Sequence, residues 1–201
     1  MSELSPKGLQ LILDYEVGGG AAYFKRFLAR PSWPGGESGC TIGIGYDLGY
    51  TPRARFALDW PALADDVRDR LAATIGVKGV RARERTKEVK DIVIAWGMAF
   101  EVFQRRTLPF WIEQTKGAFP GLDALPWDVL GALVSLVFNR GPSLDGERRR
   151  EMRAIRDAVA ERDLLRIAQN LRGMKRLWHG KGLPGLLLRR EAEAVLVEMA
   201  V

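Results

Sequence analysis

Residues 33–50, Trp-Pro-Gly-Gly-Glu-Ser-Gly-Cys-Thr-Ile-Gly-Ile-Gly-Tyr-Asp-Leu-Gly-Tyr, constrain the fold more than any other stretch of the chain. Cys40, Ile42, Ile44 and Tyr46 alternate with Thr41, Gly43, Gly45 and Asp47, the period of extended backbone that turns one set toward a core and the other outward. The outward set is nearly bare main chain. Glycine at such positions permits φ > 0 or lets a ligand approach the backbone closely. A tight hairpin in an ordinary α+β domain satisfies the same pattern, so a function for the stretch depends on chemical partners elsewhere.

The 201 residues suffice for one domain with a real core. No segment approaches 18 uninterrupted apolar residues, and the start carries no basic region followed by an apolar run. The expectation is a protein made in the cytoplasm, without a signal peptide and without stable membrane insertion. One cysteine, Cys40, and one histidine, His179, leave no internal disulfide and too few soft ligands for a typical zinc site, so no metal and no cofactor is expected. The net charge of +6 points to an anionic partner. Acidic residues punctuate the arginines at 148–150 and 189–190, a pattern read as solvated helical faces laced with ion pairs rather than a nucleic-acid groove.

Ser5-Pro6 opens a helix as cap and first-turn proline, and Leu9, Ile12, Leu13 and Glu16 share one face of it. Glu16 therefore ends an apolar stripe, with Gly18-Gly19-Gly20 removing side-chain cover just beyond it. Partial burial favours the protonated form of a carboxyl, the form a general acid needs. Tyr23 to Leu28 is a short amphipathic piece. After Thr51-Pro52 the pattern is helical throughout: Asp59 reads as a cap, residues 85–105 as one long helix with Gly97 as its weak spot, and Asp128 to Phe138 as the central buried helix. That helix stops at Asn139-Arg140-Gly141, delivering polar groups directly from the core.

A helix-borne Glu16, a Thr41-Ile42-Gly43-Ile44-Gly45 hairpin, an apolar helix ending in Asn139-Arg140-Gly141 and a closing Gly185-Leu186-Leu187-Leu188-Arg189-Arg190 follow in an order that resembles the phage-type lysozymes over almost the whole chain. The spacing from the threonine to the aspartate six positions later, here Asp47, is similar to that of the muramidase domain of the bacteriocin pesticin. The phage pattern instead places a carboxylate before the threonine. That offset falls on Gly35, and the nearest carboxylate is Glu37.

The resemblance implies an α+β, mostly helical, two-lobed lysozyme-like fold in a single catalytic domain, with a hairpin-containing lobe over about 1–56 and a helical lobe over about 57–201. It implies a monomeric peptidoglycan hydrolase acting on glycan strands, with Glu16 as acid, Thr41 holding water, and Asp47 or Glu37 as second carboxylate. Tyr46, Asn139 and Arg140 are expected to line the cleft, and Asp47 to stay ionised in a wet loop. Inversion at the anomeric carbon is expected; a lytic transglycosylase or a catalytically inactive wall-binding protein are the alternatives. Action in the periplasm or cell wall would follow holin-dependent release, or injection into a rival, with an immunity protein as partner. Geometry sets one condition: on a straight strand, Thr41 and Asp47 would stand about 20 Å apart, so they share a site only if Gly43 and Gly45 turn the chain.

Overall fold

In the computed structural model, which describes residues 4–18 and 20–201, the Ser5 hydroxyl accepts the Gly8 N–H at 2.9 Å and so caps helix α1 (Pro6–Val17). Contacts divide the chain into two compact units, with the boundary inside α1. One unit is Glu16–Pro109; the other comprises residues 4–15 and 110–201. The chain is mostly helical with one small antiparallel hairpin.

In the Glu16–Pro109 unit, α2 (Ala21–Tyr23) runs into a π-turn over Phe24–Leu28, which Ala29 N–H closes on the Phe24 carbonyl at 2.8 Å. Strands β1 (Thr41–Ile42) and β2 (Tyr46–Asp47) pair antiparallel. The helices α3 (Arg53–Asp59), α4 (Asp65–Ala72), α5 (Gly79–Lys87) and α6 (Trp96–Val102) follow, with a second π-turn over Phe103–Thr107.

Two expectations are corrected here. Asp59 ends α3, buried, while Ala64 occupies the cap of α4. The long helix expected over 85–105 is two helices, and Gly97 is not where it breaks. Between them Ile92 and Ile94 are buried while Val93 is 61% exposed, and Ile94 N–H donates to the Ala29 carbonyl at 2.7 Å. That alternation is extended backbone tied to the 24–29 segment, a tertiary bond that helical periodicity does not anticipate.

Within this unit, later segments bond to the hairpin region. Gly76 N–H donates to the Leu48 carbonyl at 3.1 Å and Gly79 N–H to the Ser38 carbonyl at 3.0 Å.

Helix α7 (Leu108–Ala118), whose residues from Phe110 on belong to the other unit, ends before Phe119-Pro120-Gly121, and in that unit α8 (Trp127–Arg140) buries every residue from Val129 to Val137. Gly8 and Gly131 bring α1 and α8 into near backbone contact: a Cβ on Gly8 would lie 2.8 Å from the Gly131 Cα. Against α8 packs α11 (Pro184–Glu198), α10 (Leu164–Gly173) packs on α11, and α9 (Arg150–Glu161) packs on α10. Arg189 and Arg190, expected on a solvated face, are buried at 3% and 0% exposure. Arg190 Nη2 donates to Glu193 Oε1 at 2.7 Å, and the Ser135 hydroxyl donates to the same oxygen at 2.7 Å. The paired charges make burial tolerable.

Candidate active site

The hairpin's register decides what its residues do. Thr41 pairs with Asp47 and Ile42 with Tyr46, so the turn lies at Gly43 to Gly45, where φ is +58° and +67° at the two glycines. The condition set by strand geometry is met. Both backbone groups of Thr41 bond to Ser32 on its other side, N–H to O at 2.8 Å and O from N–H at 3.0 Å. The Thr41–Asp47 pair is therefore of the non-hydrogen-bonded kind, with Cα atoms about 4.5 Å apart and both side chains on one face.

Opposite that face, Cys40, Ile42, Ile44 and Tyr46 are all buried, as their alternation predicts. Gly43 departs from it: a Cβ there would meet the Trp60 ring at 2.8 Å, so the turn is pressed onto the tryptophan. Burial pushes the Cys40 thiol up, with Thr86 and Thr74 hydrogen bonds working the other way.

Following the register outward, Gly39 and Gly49 stand opposite one another on the same face as Thr41 and Asp47. With no Cβ on either, the Asp47 carboxylate leans over them. Oδ1 accepts from Gly39 N–H at 3.0 Å and from Gly49 N–H at 2.8 Å, and Oδ2 accepts from Gly39 N–H at 3.1 Å. Thr51 Oγ1 donates to the Asp47 carbonyl at 2.7 Å. The wet loop expected for Asp47 is corrected: the residue is half-buried. Burial raises its carboxyl above the ordinary value, and the Gly49 and Gly39 amides and the Lys78 ammonium pull against that rise.

Beside it the Thr41 hydroxyl is buried and has no hydrogen-bond partner among the described residues. A buried hydroxyl left unpaired costs free energy and calls for an explanation. Glu37, by contrast, is exposed; its carbonyl accepts the Tyr50 hydroxyl at 3.0 Å. The Tyr50 ring in turn carries the Lys78 ammonium 3.7 Å from its centroid.

Tyr46, expected to line a cleft, is 6% exposed. Its ring meets Trp60 edge-on at 5.5 Å, and its hydroxyl donates to Asp59 Oδ2 at 2.8 Å. Arg55 Nε holds the same oxygen at 3.1 Å. The phenol's pKa is raised, chiefly by burial. Tyr46 thus anchors β2 to α3, a role its place in the alternation already signals.

Glu16 is half-buried at the end of α1 and belongs to the same compact unit as the hairpin. Along α1 it follows the buried Gly8 and Ile12 at steps of four, while Leu9 and Leu13, expected on the same stripe as Ile12 and Glu16, are half-buried. Asn139 and Arg140 belong to the other unit. Asn139 is exposed. Arg140 is half-buried, with its guanidinium 5.0 Å from the Trp178 ring centroid and Nη2 on the Arg148 carbonyl at 2.8 Å. Burial, with the neighbouring Arg149, Arg190 and Arg148, lowers its pKa to about 10.

Sequence reasoning missed Gly39, Gly49 and Trp60, and read Asp59 only as a helix cap. The first two were findable: once Thr41 faces Asp47, glycines two positions outward on both strands face each other. Among the described residues no group of three or more His, Cys, Asp or Glu side chains is placed to hold a metal ion. No protein-family model matches the chain, and no curated protein matches it.

Proposed function

We propose that this chain is a muramidase with a two-lobed, lysozyme-like fold, hydrolysing the β-1,4 bond between N-acetylmuramic acid and N-acetylglucosamine in peptidoglycan. The observation that carries the reading is the pairing of Thr41 with Asp47. It sets an amide-oriented carboxylate beside a buried hydroxyl without a partner, in the unit that also holds Glu16. Asp47 is preferred to Glu37 because it shares the threonine's face.

In this mechanism Glu16 protonates the glycosidic oxygen as its bond to the anomeric carbon breaks. A water held by Thr41 Oγ1 attacks that carbon from the opposite side, and its proton passes to Asp47. The sugar gains the hydroxide, the leaving oxygen gains the acid's proton, and the configuration inverts. Two carboxyls in unlike settings suit this division of labour. Release through a membrane pore made by another protein is the simplest route to the wall.

Zymograms and mass spectrometry of digested sacculi test the proposal. Glu16→Gln and Asp47→Asn are expected to lose clearing, whereas Glu37→Gln keeps it; the parent releases reducing muramic ends. Anhydromuramic ends would mean a transglycosylase instead, and full clearing by Glu16→Gln would remove the acid's assignment.

A further inference from the structure

The segment that follows Glu16 carries more exposed aromatic surface than its fold requires. Tyr23 is 40% exposed and Phe27 is 54% exposed, and their rings lie 4.8 Å apart. Between them in sequence, Phe24 does the packing: it is 1% exposed and meets Trp96 edge-on at 5.4 Å. Tyr23 and Phe27, four apart, share the outer side of the segment. The π-turn over Phe24–Leu28 contributes to that arrangement, and such turns concentrate at functional sites.

Two further contacts fix this ledge. The Tyr23 ring lies against Gly18, where φ is +57° and a Cβ would stand 3.2 Å from the ring. Arg26 holds its guanidinium 5.0 Å from the Phe27 centroid, and Lys25 is exposed beside it. No carboxylate interrupts residues 21–30, which carry Lys25, Arg26 and Arg30.

We propose that Tyr23 and Phe27 form a stacking platform for an N-acetylated hexose ring of the glycan strand, with Arg26 and Lys25 facing the carboxylates carried on that strand. The inference rests on the muramidase reading and names a binding subsite for it. One face of a pyranose presents only C–H groups, apolar and weakly positive, which suit the negative faces of aromatic rings. The basic side chains match lactyl and peptide carboxylates in sign. Gly18, whose backbone touches Tyr23, lies two residues beyond Glu16, so the platform begins beside the proposed acid.

A lipid surface is the other partner that exposed aromatic and basic residues suggest. Interfacial anchoring uses a helix with a broad apolar face. Here α2 has three residues and the π-turn five, and Phe24 faces the core, leaving two rings.

The test measures adsorption to purified sacculi in a Glu16→Gln background, so that the polymer stays intact. Tyr23→Ala and Phe27→Ala are each expected to weaken adsorption roughly 2- to 10-fold, and Phe27→Leu to behave like Phe27→Ala while Phe27→Tyr retains binding. With Glu16 restored, the same variants should raise KM for soluble glycan fragments and leave kcat unchanged. Adsorption to vesicles rich in phosphatidylglycerol should not change. Unaltered sacculus binding by both alanine variants overturns the platform, and so does a loss confined to vesicles, which would assign the rings to a membrane. If the platform variants lose binding while Glu16→Gln still lyses cells, the platform stands and the catalytic assignment falls. If Glu16→Gln is inactive while the platform variants bind like the parent, the reverse holds.

Discussion

Gly39→Ala isolates the support of Asp47 from its chemistry, because Gly39 has no positive φ and the substitution tests space alone. The new Cβ would lie 2.3 Å from Gly49 N, 2.4 Å from Gly49 Cα and 2.5 Å from Asp47 Oδ1. Two of those three atoms are backbone, so no rotamer change relieves them. Ordinary contact begins at 3.4 Å, which requires the two loops to part by about 1 Å. Gly39 N–H, now 3.0 and 3.1 Å from the carboxylate oxygens, would then leave hydrogen-bonding range. Overpacking costs about 1–3 kcal/mol and a hydrogen bond to a charged group about 1.5–3 kcal/mol, and because the same movement causes both, about 3 kcal/mol in total is expected. For a chain of this size that lowers Tm by roughly 6–12 °C. If Asp47 is the base proposed above, its displacement by about 1 Å should cut lysis on the order of 100-fold, with Glu16, Thr41 and Asp47 all present. Calorimetry and turbidity assays read the two effects. Gly97→Ala, in open space on α6, serves as the control and should stabilise by up to about 1 kcal/mol. A Gly39→Ala protein melting within about 2 °C of the parent and lysing at about its rate would refute the clamp.

Two more predictions concern charge. As the proposed base, Asp47 must be ionised, and burial raises its pKa against the amides and Lys78. The acid limb of kcat/KM should therefore fall at a pH above about 4, the ordinary aspartate value, and activity undiminished below that pH would contradict the assignment. Glu151 behaves oppositely: although its burial raises the pKa, hydrogen bonds from Arg176 and Arg150 hold the carboxyl below the ordinary range. Its folded-state pKa is depressed, so its stabilisation is complete above the unfolded value and disappears as pH falls through the folded one. Because Arg176 and Arg150 are 34% and 55% exposed, Glu151→Gln should cost only about 1–2 kcal/mol at pH 7 and shrink the acid-side loss of stability; denaturant titrations at pH 7 and pH 3 compare the two.

Local patterns with one dominant cause were legible in the sequence. Ser5 caps because a hydroxyl precedes proline and an apolar helix, and α8 is buried because nearly every residue from Val129 to Val137 is apolar. Cys40, Ile42, Ile44 and Tyr46 face inward because period two leaves them no other side. The break between α5 and α6 was hidden, since Val89, Ile92 and Val93 fit a helix as well as an extended strap, and the Ile94 bond to Ala29 joins residues far apart in the chain. The burial of Arg189 and Arg190 was hidden for a related reason: Ser135, which accepts from Arg189 and donates to the Glu193 carboxylate that Arg190 holds, lies on another helix.

The sequence alone determined which residues can do chemistry in this chain: a glutamate ending an apolar helix, and a threonine and an aspartate in a glycine-rich run. Only the tertiary structure decided that the run turns at Gly43 and Gly45, so that Thr41 meets Asp47, and that Gly39 and Gly49 close beneath the carboxylate. The physical reason is that side-chain alternation specifies a face but not a partner. Register comes from where the chain reverses, and here that is set by two left-handed glycines and the Trp60 ring against which the first of them rests.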